Sequence, residues 1–104
     1  MAHYEILISD AANQDIRDII HHISASLHSP MAASGILDAT DAQVASLGSS
    51  PQRNPLVRDE RLALLGYRWT KAKSYMIFYT IDETAKAVLI TRVLYGRRHW
   101  AKLL

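Results

Sequence analysis

Apolar and polar residues alternate from Tyr4 through Glu5 and Ile6 to Ile8 and Ser9, a period of two that predicts a first strand with one buried face. At Ser9 or Asp10, both suited to cap a helix, the spacing changes to three and four. Ile16, Ile19, Ile20, Ile23 and Leu27 then form the buried stripe of a helix whose Asp15, Arg17, Asp18 and His22 point mostly outward. A second helix is expected from Ser29-Pro30, with serine as N-cap and proline at the first helical position, where its missing N–H costs nothing. Its stripe is Ile36, Leu37, Thr40, Val44 and Leu47, and Gly48 is its stop. The short link at His28 makes the two an antiparallel hairpin.

Ser49 to Arg61 reads as a loop, since two prolines and a polar cluster deny it regular pairing. Strands are expected over Leu62–Thr70, Tyr75–Ile81 and Lys86–Tyr95, with turns at Ala72–Ser74 and Asp82–Ala85. The order is β-α-α-β-β-β. This predicts a single α+β domain over residues 1–104, with the helical hairpin packed on one face of a small, mainly antiparallel sheet and the other face partly open.

Composition narrows the class. With 104 residues, 49% hydrophobic and 21% charged, the chain is an ordinary small globule with one core. No segment reaches the roughly 20 apolar residues of a membrane span, and Met1–Asp10 lacks the basic start and apolar core of a signal peptide, so a cytoplasmic protein without membrane contact is expected. The absence of cysteine agrees with a reducing compartment and excludes thiol catalysis and thiolate metal sites. The net charge of +2 conceals an uneven distribution: residues 1–50 carry one arginine against six acids, or −5, and residues 51–104 carry eleven lysines and arginines against four acids, or +7. Such asymmetry points to a nucleic-acid or acidic-protein partner.

The candidate chemistry gathers at the exit of the last strand, where Gly96 opens onto Arg97, Arg98, His99 and Trp100. Two cations beside an imidazole and an indole suit a polyanion or an acidic peptide. His99 is the one histidine among cations and the best acid–base candidate. Arg68 shares a strand face with Leu64, Gly66 and Thr70; if that face is the open one, Arg68 points into it. Alternation groups Arg92 with Val88, Ile90 and Leu94, so it needs an acid such as Glu5 or Asp82. Arg58, Arg61, Lys71 and Lys73 enlarge the basic field. His21 and His22 face different ways on a helix, and no metal or other cofactor is expected. The chain has neither a phosphate-cradling glycine loop nor a G-x-S-x-G turn.

The segments YEILISDAANQDIRDII (Tyr4–Ile20), GYRWTKAKSYMIFYTID (Gly66–Asp82) and ITRVLYGRRHW (Ile90–Trp100), taken in this order, resemble the RelE/ParE superfamily of toxins over nearly the whole length. The resemblance implies the toxin of a bacterial or archaeal type II toxin–antitoxin module, of the kind called plasmid stabilisation systems. In these a cognate antitoxin encoded by an adjacent gene wraps the toxin and blocks it, and oligomers can form through the antitoxin. RelE-like members cleave mRNA on the ribosome and ParE-like members poison DNA gyrase. In the nuclease branch an arginine follows the tyrosine that opens the penultimate strand, whereas Met76 follows Tyr75 here; many members also have a C-terminal tyrosine, whereas this chain ends in Leu103-Leu104. The exit V-L-Y-G-R-R resembles the ParE-like branch. The resemblance thus implies a gyrase-directed toxin that binds its antitoxin or target through Arg58, Arg61, Lys71, Lys73, Arg92, Arg97 and Trp100. The alternatives are a metal-free ribosome-dependent endonuclease using Arg68, Arg98 and His99, and an inert paralogue that only binds an antitoxin.

Overall fold

Ser9 both ends the first strand, β1 (Glu5–Ile8), and starts the first helix, α1 (Asp10–His21), in a computed structural model that describes residues 3–96 and 98–104. Its hydroxyl oxygen accepts from the Ala12 amide at 3.0 Å, satisfying one of the donors a helix start leaves open. The helix does not continue unchanged to Leu27. After His21 the chain makes one π-helical turn, His22–Ser26, and reverses at His28, whose φ is 50°. The second helix, α2 (Pro30–Ser46), starts with Ser29 at the N-cap position, but the carbonyl rather than the hydroxyl of Ser29 is engaged, accepting from the Ala33 amide at 3.1 Å.

A short third helix, α3 (Glu60–Leu64), replaces the expected start of a strand at Leu62. The Asp59 carboxylate accepts from the Leu62 amide at 3.1 Å, and Gly66 at φ 88° turns the chain out of the helix, so capping chemistry at both ends outweighs the strand preference of an apolar run. The strand β2 therefore begins late and ends late, at Arg68–Ala72, and is followed by β3 (Tyr75–Asp82) and β4 (Ala87–Tyr95). The sheet order is β1-β4-β3-β2, with β1 parallel to β4 and the other pairs antiparallel.

The helical hairpin covers one face. Ile16 and Ile19 of α1 and Val44 of α2 pack on buried Ile77, Tyr79, Val88, Ile90 and Val93. The opposite face is not left partly open where expected. Val57, Leu62 of α3 and the C-terminal residues Trp100, Leu103 and Leu104 close over Phe78 and Leu94. Each fully buried large side chain contributes on the order of 2 kcal/mol, which draws the chain end onto the sheet.

A bulge changes the phase of β4. Phe78 pairs with Arg92 and Tyr79 with Ile90, leaving Thr91 as the extra residue. Val88 and Ile90 face the helices, while Arg92 and Leu94 face the C-terminal layer, so alternation alone assigns Arg92 to the wrong set of neighbours. Among the described residues no helix is long and apolar enough to cross a membrane.

Candidate functional site

The strands β2, β3 and β4 finish level with one another, since Ala72 pairs with Tyr75 and Tyr75 with Tyr95. Gly96 then closes the sheet end: its amide donates to the Ser74 carbonyl at 2.9 Å, and a Cβ would stand 3.2 Å from that oxygen. Beyond this turn Arg98 and His99 are exposed. Trp100 folds back instead, its ring 5.2 Å from that of Phe78 at 35°. The indole predicted to bind a partner thus serves as a lid on the second core layer. Arg97 falls outside the described residues.

The structure does not bring Arg68 to Arg98 and His99. Arg68 pairs in register with Tyr79, and the sheet end lies at Tyr75, about 13 Å further along the strand direction. Its guanidinium faces the hairpin side and donates to the Asn54 and Gln52 carbonyls at 2.6 and 3.2 Å. Nearby, the buried Tyr79 hydroxyl donates to the Pro51 carbonyl at 2.6 Å and accepts from the Asn54 side-chain Nδ2 at 3.1 Å. Burial pushes the Tyr79 phenol above its ordinary range, against the opposing hydrogen bond from Asn54 and the field of Arg68. Arg68 and Tyr79 together pin the loop 51–54 to the sheet.

Arg92 has a partner, but neither Glu5 nor Asp82. Nε and Nη2 donate to the Asp15 carboxylate at 2.7 and 2.8 Å, and Nη1 donates to the Leu103 carbonyl at 3.0 Å. Asp15, expected to face solvent, also accepts from the Val93 amide at 3.0 Å. Donating to the Asp15 carboxylate holds the guanidinium above its usual pKa despite partial burial. Arg92 is therefore occupied in joining α1, β4 and the chain end.

The other cations separate into two places. Arg58, just before α3, and Arg61, within it, are exposed. Lys71 and Lys73 are exposed at the sheet end, with Lys73 at φ 53° on the tip of the β2–β3 turn, where its side chain passes Gly35 of α2. With Arg98 and His99 they form a cationic rim without a described acid in ion-pair contact, because Arg92–Asp15 is the one ion pair among the described residues.

Two depressions flank this rim. On the helix side a groove of about 620 Å³ runs between Ile19, Ile23, Leu27 and Ile36 and the sheet residues Tyr75 and Val93, with Arg98 at its edge. On the far side a cleft of about 370 Å³ lies between Trp69, Met76 and Tyr95 with Lys71. Tyr75 and Tyr95 meet edge to face at 5.8 Å, and burial followed by the neighbouring Tyr95 raises the pKa of Tyr75. The periodicity of the sequence does not announce the groove, although its helical wall is the continuation of the apolar stripe past His21. Among the described residues no cluster of acids and histidines could hold a metal.

A family model described as the ParE toxin of the type II toxin–antitoxin system, parDE, matches residues 6–100. No curated protein sequence matches the chain. Among solved structures, the chromosomal ParDE system from P. aeruginosa superposes with a TM-score of 0.71 at 17% identity over 88% of this chain and 95% of that one. An arginine-to-alanine double mutant of the E. coli toxin RelE in the free state gives 0.67 at 14% identity over 99% and 93%. The RelBE2 toxin–antitoxin complex from Mycobacterium tuberculosis gives 0.60 at 20% identity over 90% and 99%.

Proposed function

The chain belongs to the ParE toxin family of type II toxin–antitoxin systems, and we propose that it arrests growth by binding DNA gyrase through the cationic sheet end, an activity silenced by a cognate antitoxin. The observation that carries the choice of target is the dispersal of the residues nominated for RNA cleavage. Arg68 is hydrogen-bonded to loop carbonyls on the helix side, whereas Arg98 and His99 stand exposed at the sheet end. Cleavage of a phosphodiester needs preorganised donors aimed at the developing charge and an acid–base group within reach of the same atoms. Met76 offers the far-side cleft neither. A target held by surface contact makes no such demand on geometry.

A second reading, a ribosome-dependent mRNA endonuclease, is favoured by one feature: Trp69 places an aromatic ring beside Lys71 in the far-side cleft, a combination that suits a stacked nucleotide. In the gyrase reading the same residues contact protein.

The first test is expression of the chain alone in bacteria, then with the small protein encoded by the adjacent gene. Growth arrest reversed by the second protein is expected. Normal growth at confirmed soluble expression would leave only the inert-paralogue reading.

A further inference from the structure

β1 is the outermost strand of the sheet, paired on one side with β4. In that parallel ladder the amides of Glu5 and Ser9 donate inward, to the Lys86 and Ile90 carbonyls at 2.9 and 3.0 Å. Backbone groups alternate in direction along a strand, so those of Ile6 and Ile8 point outward. None of these amides and carbonyls has a partner among the described residues. Proteins blunt such an edge with lysine, proline, a bulge or a covering element. β1 contains none of the first three, and α1 packs on β4 rather than over it. The apolar side chains at the edge stay exposed: Leu7 at 46%, Ile8 at 41% and, on β4, Leu89 at 38%. We infer that a second copy of this chain pairs here, β1 against β1 in antiparallel register about a two-fold axis at Leu7, joining the two sheets into one.

The shape of the edge selects this occupant. The Tyr4 amide, next in the outward series, is already taken by the Gly48 carbonyl at 2.8 Å, and α1 begins at Asp10. An extended segment that ran on past Tyr4 would meet the chain at Gly48. β1 of a second copy is only four residues long and gives way to its own helix after Ser9. With Leu7 opposite Leu7, Ile6 of each copy faces Ile8 of the other, and the two exchange amide-to-carbonyl hydrogen bonds. Every outward group of both strands is then satisfied.

Side chains agree with the register. Leu7 pairs with Leu89, so the face away from the helices gains one apolar row built from these leucines of both copies. Glu5, the one charge on β1, falls opposite Ser9 and not opposite the second Glu5. Charge also disfavours an acidic partner at this place: residues 1–50 carry −5, and Glu5 and Asp10 are exposed beside the edge. The same acids oppose self-association mildly, so added salt strengthens the dimer. Because β1 and β4 are parallel, the two-fold axis sends the cationic sheet ends to opposite ends of the joint sheet and leaves both uncovered.

Sedimentation of the purified chain should show monomer giving way to dimer between about 1 and 100 μM, the dimer fraction rising with salt. Ile8→Pro removes an outward amide without costing a ladder bond to β4, and Leu7→Lys places a charge at the axis; each should weaken the dimer about tenfold or more with the circular dichroism unchanged. A third variant reads the register whether or not those two fold. The chain has no cysteine, and facing residues of a non-hydrogen-bonded antiparallel pair have Cα atoms about 4.5 Å apart, within reach of a disulfide. Leu7→Cys should therefore crosslink to itself under mild oxidation, whereas Leu64→Cys, at a residue 89% exposed on α3, should not. A chain monomeric at about 100 μM, a dimer that dissociates as salt rises, a dimer untouched by Ile8→Pro and Leu7→Lys, or crosslinking no faster at Leu7→Cys than at Leu64→Cys would overturn the inference. So would a monomer whose Leu7→Lys variant instead loses affinity for the protein encoded by the adjacent gene, since the edge would then belong to that partner.

Discussion

The guanidinium of Arg92 and the carboxylate of Asp15, 77 residues apart in the chain, meet in a two-pronged contact at 2.7 and 2.8 Å. The contact stands where β1 has already left the sheet, and Asp15 there substitutes for a missing strand by accepting from the Val93 amide. Arg92 extends the same link to the Leu103 carbonyl, so one ion pair ties α1, the bulged part of β4 and the chain end.

Removing Asp15 strands a cation and a backbone amide together. Asp15→Ala should cost about 3 kcal/mol, the lower end for a buried pair because the Arg92 side chain keeps 24% of its surface open. Arg92→Lys should cost about 1–2 kcal/mol, since an ammonium cannot reproduce the fork. Urea unfolding of the three proteins measures both, and a loss under about 0.5 kcal/mol for Asp15→Ala would show the link to be incidental.

The short helix α3 depends on its ends. Asp59→Ala should destabilise by about 1 kcal/mol through loss of the cap. Gly66→Ala should cost about 1 kcal/mol for backbone conformation alone, because nothing lies within 4 Å of a Cβ at that glycine and its φ is 88°. Thermal unfolding of the two single variants and the double variant checks the account. A stabilised Gly66→Ala would contradict it.

Much of this architecture is legible in the chain. The two helices, their antiparallel link, β3 and β4 follow from periodicity and capping, as does the α+β arrangement. What is not legible has identifiable causes. Leu62–Leu65 is apolar without a period, and only Asp59 three residues before Leu62 and Gly66 after the run mark it as a helix. The bulge at Thr91 moves Arg92 to the other face, and a one-residue insertion leaves no trace in an alternating run of β-branched residues. The pairing of Arg92 with Asp15 is invisible because both the bulge and the place where β1 stops must be known first. Trp100 reads from its neighbours as part of a binding surface, and only the assembled sheet shows its ring packed on Phe78. For the candidate site, the cationic exit at Arg98 and His99 was legible, while the groove beside it arises only when hairpin and sheet are assembled.

Alkaline pH probes the buried phenol of Tyr79. Its folded pKa lies above the ordinary value of 10.0, so its contribution is fully present below pH 10 and is lost as pH rises through the folded value, when the unfolded chain ionises first. Tyr75 acts in the same direction and window. Stability should fall more steeply above pH 10 in the wild type than in Tyr79→Phe, which should also be weaker near neutrality by about 1–2 kcal/mol for the lost hydroxyl contacts. Equal slopes in denaturant titrations across that range would contradict the assignment.

The target is tested most directly by two reactions run side by side with the purified chain: supercoiling by DNA gyrase, and mRNA cleavage on translating ribosomes. Arg98→Ala and His99→Ala accompany the wild type in both. The predicted result is inhibited supercoiling, weakened by Arg98→Ala, with little or no codon-positioned cleavage. Cleavage abolished by His99→Ala, with supercoiling untouched, would contradict the account and establish the nuclease reading in its place.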